Sequence, residues 1–272
     1  MRTMWLPAYA TRSERLCRLA VVTFAFAVLV FLVGPLFVVF PLSVSKDPFF
    51  TFPIEAYSWR WYADFFQNAR WTQSLWNSLV AATFSTALAT LLGTLAALGI
   101  ARPGFPARKA VMALMISPMI MPVVIVAVGA YMFFGPLGLT NTRTGLVLAH
   151  AGLAIPFVVI TVLSSLSTYD ANLTRAGASL GAGPVSVFFT VTLPLILPGI
   201  VSGALLAFAV SFDEVIVALF LTGAEQRTLP VQMFSGIRDQ INPTIMAAAS
   251  LLTTVSIALF VGLSLIRRLR RG

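Results

Sequence analysis

Two adjacent acids stand in an otherwise apolar stretch: Ser211-Phe212-Asp213-Glu214 follows residues 193–210, LPLILPGIVSGALLAFAV. Carboxylates in such a setting are costly unless they meet water, a partner or a cation. The pair can therefore serve as an electrostatic filter or transient site for a cationic solute. Equally, it can be solvated at a membrane interface or paired with Arg227 or Arg238, and both readings stand on the residues alone. Neighbouring helical residues point about 100° apart, so at most one acid faces a pathway while the other braces a neighbour. The single histidine, His150, lies in a second apolar stretch. It can be a proton or substrate contact, and the commoner reading is a bond to a neighbouring helix.

Other chemistries are absent. The lysines are Lys46 and Lys109, and neither closes a Gly-x-x-x-x-Gly-Lys-Ser/Thr loop, so the chain cannot hydrolyse ATP by that route. No Ser/His/Asp constellation supports an enzyme. One cysteine, Cys17, excludes an intrachain disulfide, and no Cys/His cluster suggests a metal.

The elements that carry the acids are membrane helices. Of 272 residues, 58% are hydrophobic and 10% charged, and the mean hydropathy is +0.92. A water-soluble domain of this length carries more charge, and the alternation of a barrel strand is missing. The net charge of +9 would suggest nucleic acid in a soluble protein, but here the basic residues flank apolar runs, so no nucleic-acid partner is expected. The expected fold is an all-α integral membrane protein with six transmembrane helices.

In chain order, residues 1–18 form a basic N-terminal segment and 19–43 a first span, too long for a signal-peptide core and therefore retained. Residues 44–75, with Tyr57, Trp59, Trp61, Tyr62 and Trp71, read as a membrane-surface segment, by interfacial anchoring or by contact with a soluble protein. The core runs over 76–266, with spans near 77–100, 110–134, 146–166, 195–220 and 244–266, and a basic tail follows at 267–272. Small residues in the second span (Ala81, Ala82, Ser85, Ala89, Gly93) suit close helix packing. Pro118 and Pro122 predict a bend in the third.

Residues 173–199, LTRAGASLGAGPVSVFFTVTLPLILPG, interrupt this pattern. Arg175-Ala176-Gly177-Ala178 predicts a short helix, Gly181 a sharp turn, Gly183-Pro184 a second short helix, and Leu193-Pro194 the start of the next long one. The spacing resembles the signature of permease subunits in binding-protein-dependent ABC importers: Glu-Ala-Ala, three residues, Gly, nine residues, Ile-x-Leu-Pro. Here it reads Arg175-Ala176-Gly177, Gly181, and Val191-Thr192-Leu193-Pro194, with Arg175 in place of the acid and Gly177 in place of an alanine. Residues 207–223 and 228–238, with Asn77-Ser78 and Ile155-Pro156-Phe157, look like the polyamine (spermidine/putrescine) branch of that family.

The resemblance implies a type I ABC importer permease fold with cytoplasmic coupling helices within 169–193. It implies coupling to an ATPase through Arg175, Ala176, Gly177, Ala178, Gly181, Leu193 and Pro194, with Pro194 and Pro198 as hinge and re-entry, and a solute pathway at Ser211, Phe212, Asp213 and Glu214. It implies no cofactor in this chain, ATP and Mg bound by a dimer of partner ATPase subunits, a second permease subunit, and a periplasmic or lipid-anchored substrate-binding protein. The second permease is expected to be a paralogue, since Arg175 departs from the usual acid. The alternative is an autonomous ion-coupled secondary transporter, although no internal repeat is visible.

Charge orients the chain. The N-terminal segment, loop 101–109, loop 169–193 and the C-terminal end carry twelve basic residues, against six on the intervening loops. The positive-inside rule places both termini and the motif loop in the cytoplasm of a bacterial inner membrane.

Overall fold

Close approach of small residues builds the centre of the molecule. The computed structural model describes residues 11–102, 104–239 and 242–269, so 1–10 and 270–272 of the two basic ends lie outside the described residues. Three long helices, α3 (Ala69–Ile100), α6 (Arg143–Ser167) and α9 (Leu193–Phe212), pack on one another. Their shared core is Ala89, Ala97, Ala151, Ala154, Val158, Val162, Ile196 and Ala207. In lipid there is no hydrophobic drive between helices, so backbones must come close enough for dispersion and hydrogen bonds to hold them. Gly93 of α3 lies against Val158 of α6, and Gly199 of α9 lies against Ser165 and the Thr161 carbonyl of α6. Ser85 Oγ adds a polar tie, donating to the Val147 carbonyl at 2.9 Å.

The first helix, α1 (Arg12–Ser43), opens on a Thr11–Glu14 capping box and carries an exposed apolar surface throughout its membrane-length window. The helix α3 begins at Ala69 rather than near residue 77, because the Asn68 side chain caps it by accepting from the Arg70 N–H at 3.0 Å. Ahead of it, α2 (Arg60–Gln67) packs on α12 (Thr244–Leu269). The segment 44–75 is thus more than a surface anchor: Phe65 and Trp71 are buried with Leu229, Ile245 and Ala248. The Trp61 indole donates to the Ser45 carbonyl at 2.7 Å, and Thr244 Oγ1 donates to Asp64 at 2.6 Å. Trp59 and Tyr57 stay exposed.

Two expected spans are interrupted. Residues 110–134 do not form one bent helix: α4 (Arg108–Ile120) and α5 (Val123–Phe134) meet at 104°. Pro122 lacks an N–H and forces Met121 into extended backbone (φ −72°, ψ 143°), which ends α4. The span expected over 195–220 also stops early, at Phe212, and resumes as the short helix α10 (Ile216–Leu221), which packs on α5. The polar stretch beyond it folds into α11 (Leu229–Asp239), started by Leu229-Pro230. By length and hydropathy four described helices can cross a membrane, or five if the bent pair is one span, and Thr244–Leu259 of α12 is a shorter apolar helix.

A Cβ at Gly203 of α9 would sit 2.5 Å from Thr161 Oγ1 and 2.9 Å from Val158 Cα, whereas one at Gly152 would meet nothing within 4 Å. Overpacking of this kind costs about 1–3 kcal/mol. Gly203→Ala is therefore expected to lower the thermal midpoint in detergent by roughly 2–10 °C, while Gly152→Ala, which gains helix propensity and meets no neighbour, does not lower it.

Candidate functional site

The motif residues fold into an elbow. Asp170 caps α7 (Ala171–Ser179) by accepting from the Asn172 N–H at 2.9 Å. Arg175, Ala176, Gly177 and Ala178 lie on this helix, and Arg175 is exposed. The helix ends in a Schellman turn: the Gly181 N–H donates to the Ala178 carbonyl at 3.0 Å, and the Ala182 N–H to the Gly177 carbonyl at 3.2 Å. Gly181 has φ +86°, the left-handed conformation that glycine adopts without strain.

The helix α8 (Pro184–Val187) starts on its proline and turns back onto α7. A Cβ at Gly177 would lie 3.1 Å from Val187 Cγ2, so the two short helices approach closely at this motif position. The Tyr169 hydroxyl ties the arms together through Thr174 Oγ1 (2.5 Å) and Thr192 Oγ1 (3.2 Å). The chain then runs through a π-helical segment, Phe188–Thr192, into α9. There the Leu193 N–H reaches back to the Phe188 carbonyl, a wider turn that admits the Pro194 ring. So α8, the π segment and α9 form one helical rod, Pro184–Phe212. Leu173, Leu180 and Val185 leave the elbow with an exposed apolar surface.

The acids lie at the far end of that rod, in the break between α9 and α10 rather than inside a continuous helix. Ser211 and Phe212 are buried, Asp213 is exposed, and Glu214 is 9% exposed. Glu214 turns back on the new helix: its two carboxylate oxygens accept the N–H groups of Val217 and Ala218, each at 2.9 Å. Without them, those donors would be left unpaired in an apolar setting. His150 of α6 lies beneath, 1% exposed, with Nδ1 2.9 Å from Ser211 Oγ and Nε2 3.6 Å from Glu214 Oε2. The bond to a neighbouring helix expected of His150 is therefore present.

Arg227 does not pair with the acids; its Nη1 donates to Gln232 Oε1 at 3.3 Å. The group that faces the Glu214 carboxylate is instead His150, with Nε2 3.6 Å from Oε2. Sequence reading did not bring His150 to the acids, because nothing in the linear pattern joins α6 to this break. Glu214, three and four residues ahead of the N–H groups it accepts, carries the spacing of a helix cap, and that signal was available.

Asn77-Ser78 anchors the segment after α10. Asn77 Nδ2 donates to the carbonyls of Glu225 (2.7 Å) and Arg227 (3.1 Å), and Ser78 Oγ accepts from the Leu229 N–H at 2.8 Å. Beside this clamp lies a polar cup of about 640 Å³, lined by Gln73, Asn141, Thr142, Arg143, Glu225 and Gln226.

Residues 89–271 match the family described as "Binding-protein-dependent transport system inner membrane component". The chain is 33% identical over 245 residues to the spermidine/putrescine transport system permease protein PotC of Haemophilus influenzae, covering 90% of this chain and 95% of that one. It is 34% identical over 203 residues to the putrescine transport system permease protein PotI of Escherichia coli, covering 72% of each. In fold it resembles a chain of a bacterial ABC transporter involved in import of the acidic polysaccharide alginate, with TM-score 0.72, 15% identity, and 96% and 99% of the two chains covered. The elbow on its motif spacing, the interrupted helices and these matches converge: the chain belongs to the binding-protein-dependent transport system inner membrane components, the permease subunits of ABC importers.

Proposed function

We propose that this chain works as one of two permease subunits in an ATP-driven importer of polyamines or a related small amine. The observation that carries the reading is the elbow, two short helices locked at Gly181 on the permease motif spacing and continuous with α9. An ATPase dimer, which binds ATP and Mg, docks on its exposed surface around Arg175, Leu173 and Leu180. The basic loops support an orientation with the elbow and both termini in the cytoplasm. The acid break and the polar cup then face the periplasm, where a soluble or lipid-anchored receptor delivers solute.

Nucleotide binding closes the ATPase dimer, and the elbow moves with it. The motion tilts α9, with Pro194 and Pro198 as its compliant points, and opens the cavity between the two permeases outward. Hydrolysis returns it inward. Asp213 supplies the charge a cationic amine meets, with Ser211, Phe212 and Glu214 forming the frame that presents it. The polyamine assignment rests on the relatives' substrates and on an exposed carboxylate at this position.

Three variants test this geometry in the complete transporter, reconstituted with its ATPase, second permease and receptor. Valine at position 181 must take a left-handed conformation that costs about 1–2 kcal/mol or more. Gly181→Val is expected to cut ATP-driven spermidine uptake by about tenfold and to reduce receptor-stimulated ATP hydrolysis in step. Asp213→Asn is expected to raise the half-saturating spermidine concentration by about tenfold, the value of one charge-assisted contact. Glu214→Gln, which keeps one acceptor oxygen of two and leaves the Asp213 charge in place, lowers the thermal midpoint and raises half-saturation by less than Asp213→Asn does. Unchanged half-saturation in Asp213→Asn would eliminate the charge reading.

A further inference from the structure

A break in an apolar helix needs something to hold it open. Residues 211–221, SFDEVIVALFL, contain no glycine or proline, and nothing in their backbone preferences forbids one continuous helix from α9 into α10. The last bond of α9 is the Asp213 N–H to the Ala209 carbonyl at 3.2 Å, and the next bonded donors, Val217 and Ala218, are taken by Glu214. His150 touches both sides of this interruption. Its Nδ1 meets Ser211, the residue two before Asp213, and its Nε2 faces Glu214, the residue after it.

One tautomer satisfies this arrangement: the Ser211 hydroxyl donates to Nδ1, and Nε2–H is directed at the Glu214 carboxylate. At 3.6 Å the second contact is electrostatic rather than a full hydrogen bond, and Nε2 has no other partner in a fully buried ring. Phe212 is held within the same segment, stacked on Phe208 with centroids 5.5 Å apart. Every residue flanking Asp213 is thus fixed by α6, α9 or α10, and Asp213 alone is exposed.

We infer that His150 is a positioning residue for solute recognition: by bridging Ser211 and Glu214 it keeps the α9–α10 break open and sets where Asp213 stands. The inference rests on the reading of Asp213 as the solute-facing charge. Loss of the bridge lets the segment 213–215 relax towards helix, which swings α10 and the Glu214 side chain and lets the Asp213 carboxylate leave the place that this frame sets. The solute then meets a displaced charge although the carboxylate is still present.

The test is a double-mutant cycle in the complete reconstituted transporter, with spermidine as the probe. His150→Ala is expected to raise half-saturation by about tenfold, a coupling of ordinary size for residues in contact. In an Asp213→Asn background the same change is expected to add less than about twofold, because the charge it positions is gone. His150→Gln, whose amide reaches where Nε2 stands, is expected to recover half-saturation to within about threefold of the unmutated value. Assembly with the partner subunits and basal ATP hydrolysis are measured alongside. If His150→Ala does not assemble, Ser211→Ala, which removes the other half of the bridge, takes its place in the cycle with the same outcomes.

A His150 effect of equal size in both backgrounds, or one confined to maximal rate, would overturn the positioning role and leave the Asp213 reading intact. Half-saturation unmoved by Asp213→Asn would overturn both. No spermidine import by the unmutated complex would overturn the polyamine assignment and this inference with it.

Discussion

A helix that stops short exposes backbone groups that lipid cannot satisfy, and the interruptions of this chain's helices each find partners for those groups. At the acid break, the Glu214 carboxylate takes the Val217 and Ala218 N–H groups. At the elbow, Gly181 closes a Schellman turn that occupies the carbonyls of Gly177 and Ala178. Upstream of Pro194 the helix widens into a π segment and accommodates a residue with no N–H. A charged side chain used in this way is fixed by structure, and its neighbour Asp213 is left exposed.

The elbow and the break are two ends of one object. The rod Pro184–Phe212 spans 29 residues and sits against α6 and α3. At about 1.5 Å per residue such a rod is about 43 Å long, longer than the hydrocarbon core. Glycines 199 and 203 seat it on α6 so closely that lateral play is small. On the proposed mechanism, a displacement of the elbow flexes the rod at Pro194 and Pro198 and carries its seated part together with α6 and His150.

Much of this could be read in the sequence because its causes are local. Gly181, Gly183 and Pro184 fix the elbow by backbone preference, and the small residues of α3 announce a packed face. Pro122 signalled an interruption, but the angle of 104° depends on what α4 and α5 pack against. The end of α9 was hidden because 211–221 is compatible with helix throughout. Its break is held by His150, from a helix distant in sequence. The aromatic residues of 44–75 were equally ambiguous: Trp61, Phe65 and Trp71 have the composition of an interfacial belt, and only the fold of α2 against α12 buries them.

The central claim is that work done by nucleotide on a separate protein enters through the elbow from the cytoplasmic side. Leu180, 88% exposed at the tip of that elbow, offers the most direct reading. With Cys17→Ser removing the native thiol, Leu180→Cys is exposed to a membrane-impermeant maleimide in vesicles of defined sidedness. The account predicts labelling in inside-out vesicles alone, and its loss when the ATPase subunits are bound. Labelling from the outside of right-side-out vesicles, or labelling that the ATPase does not protect, would contradict it.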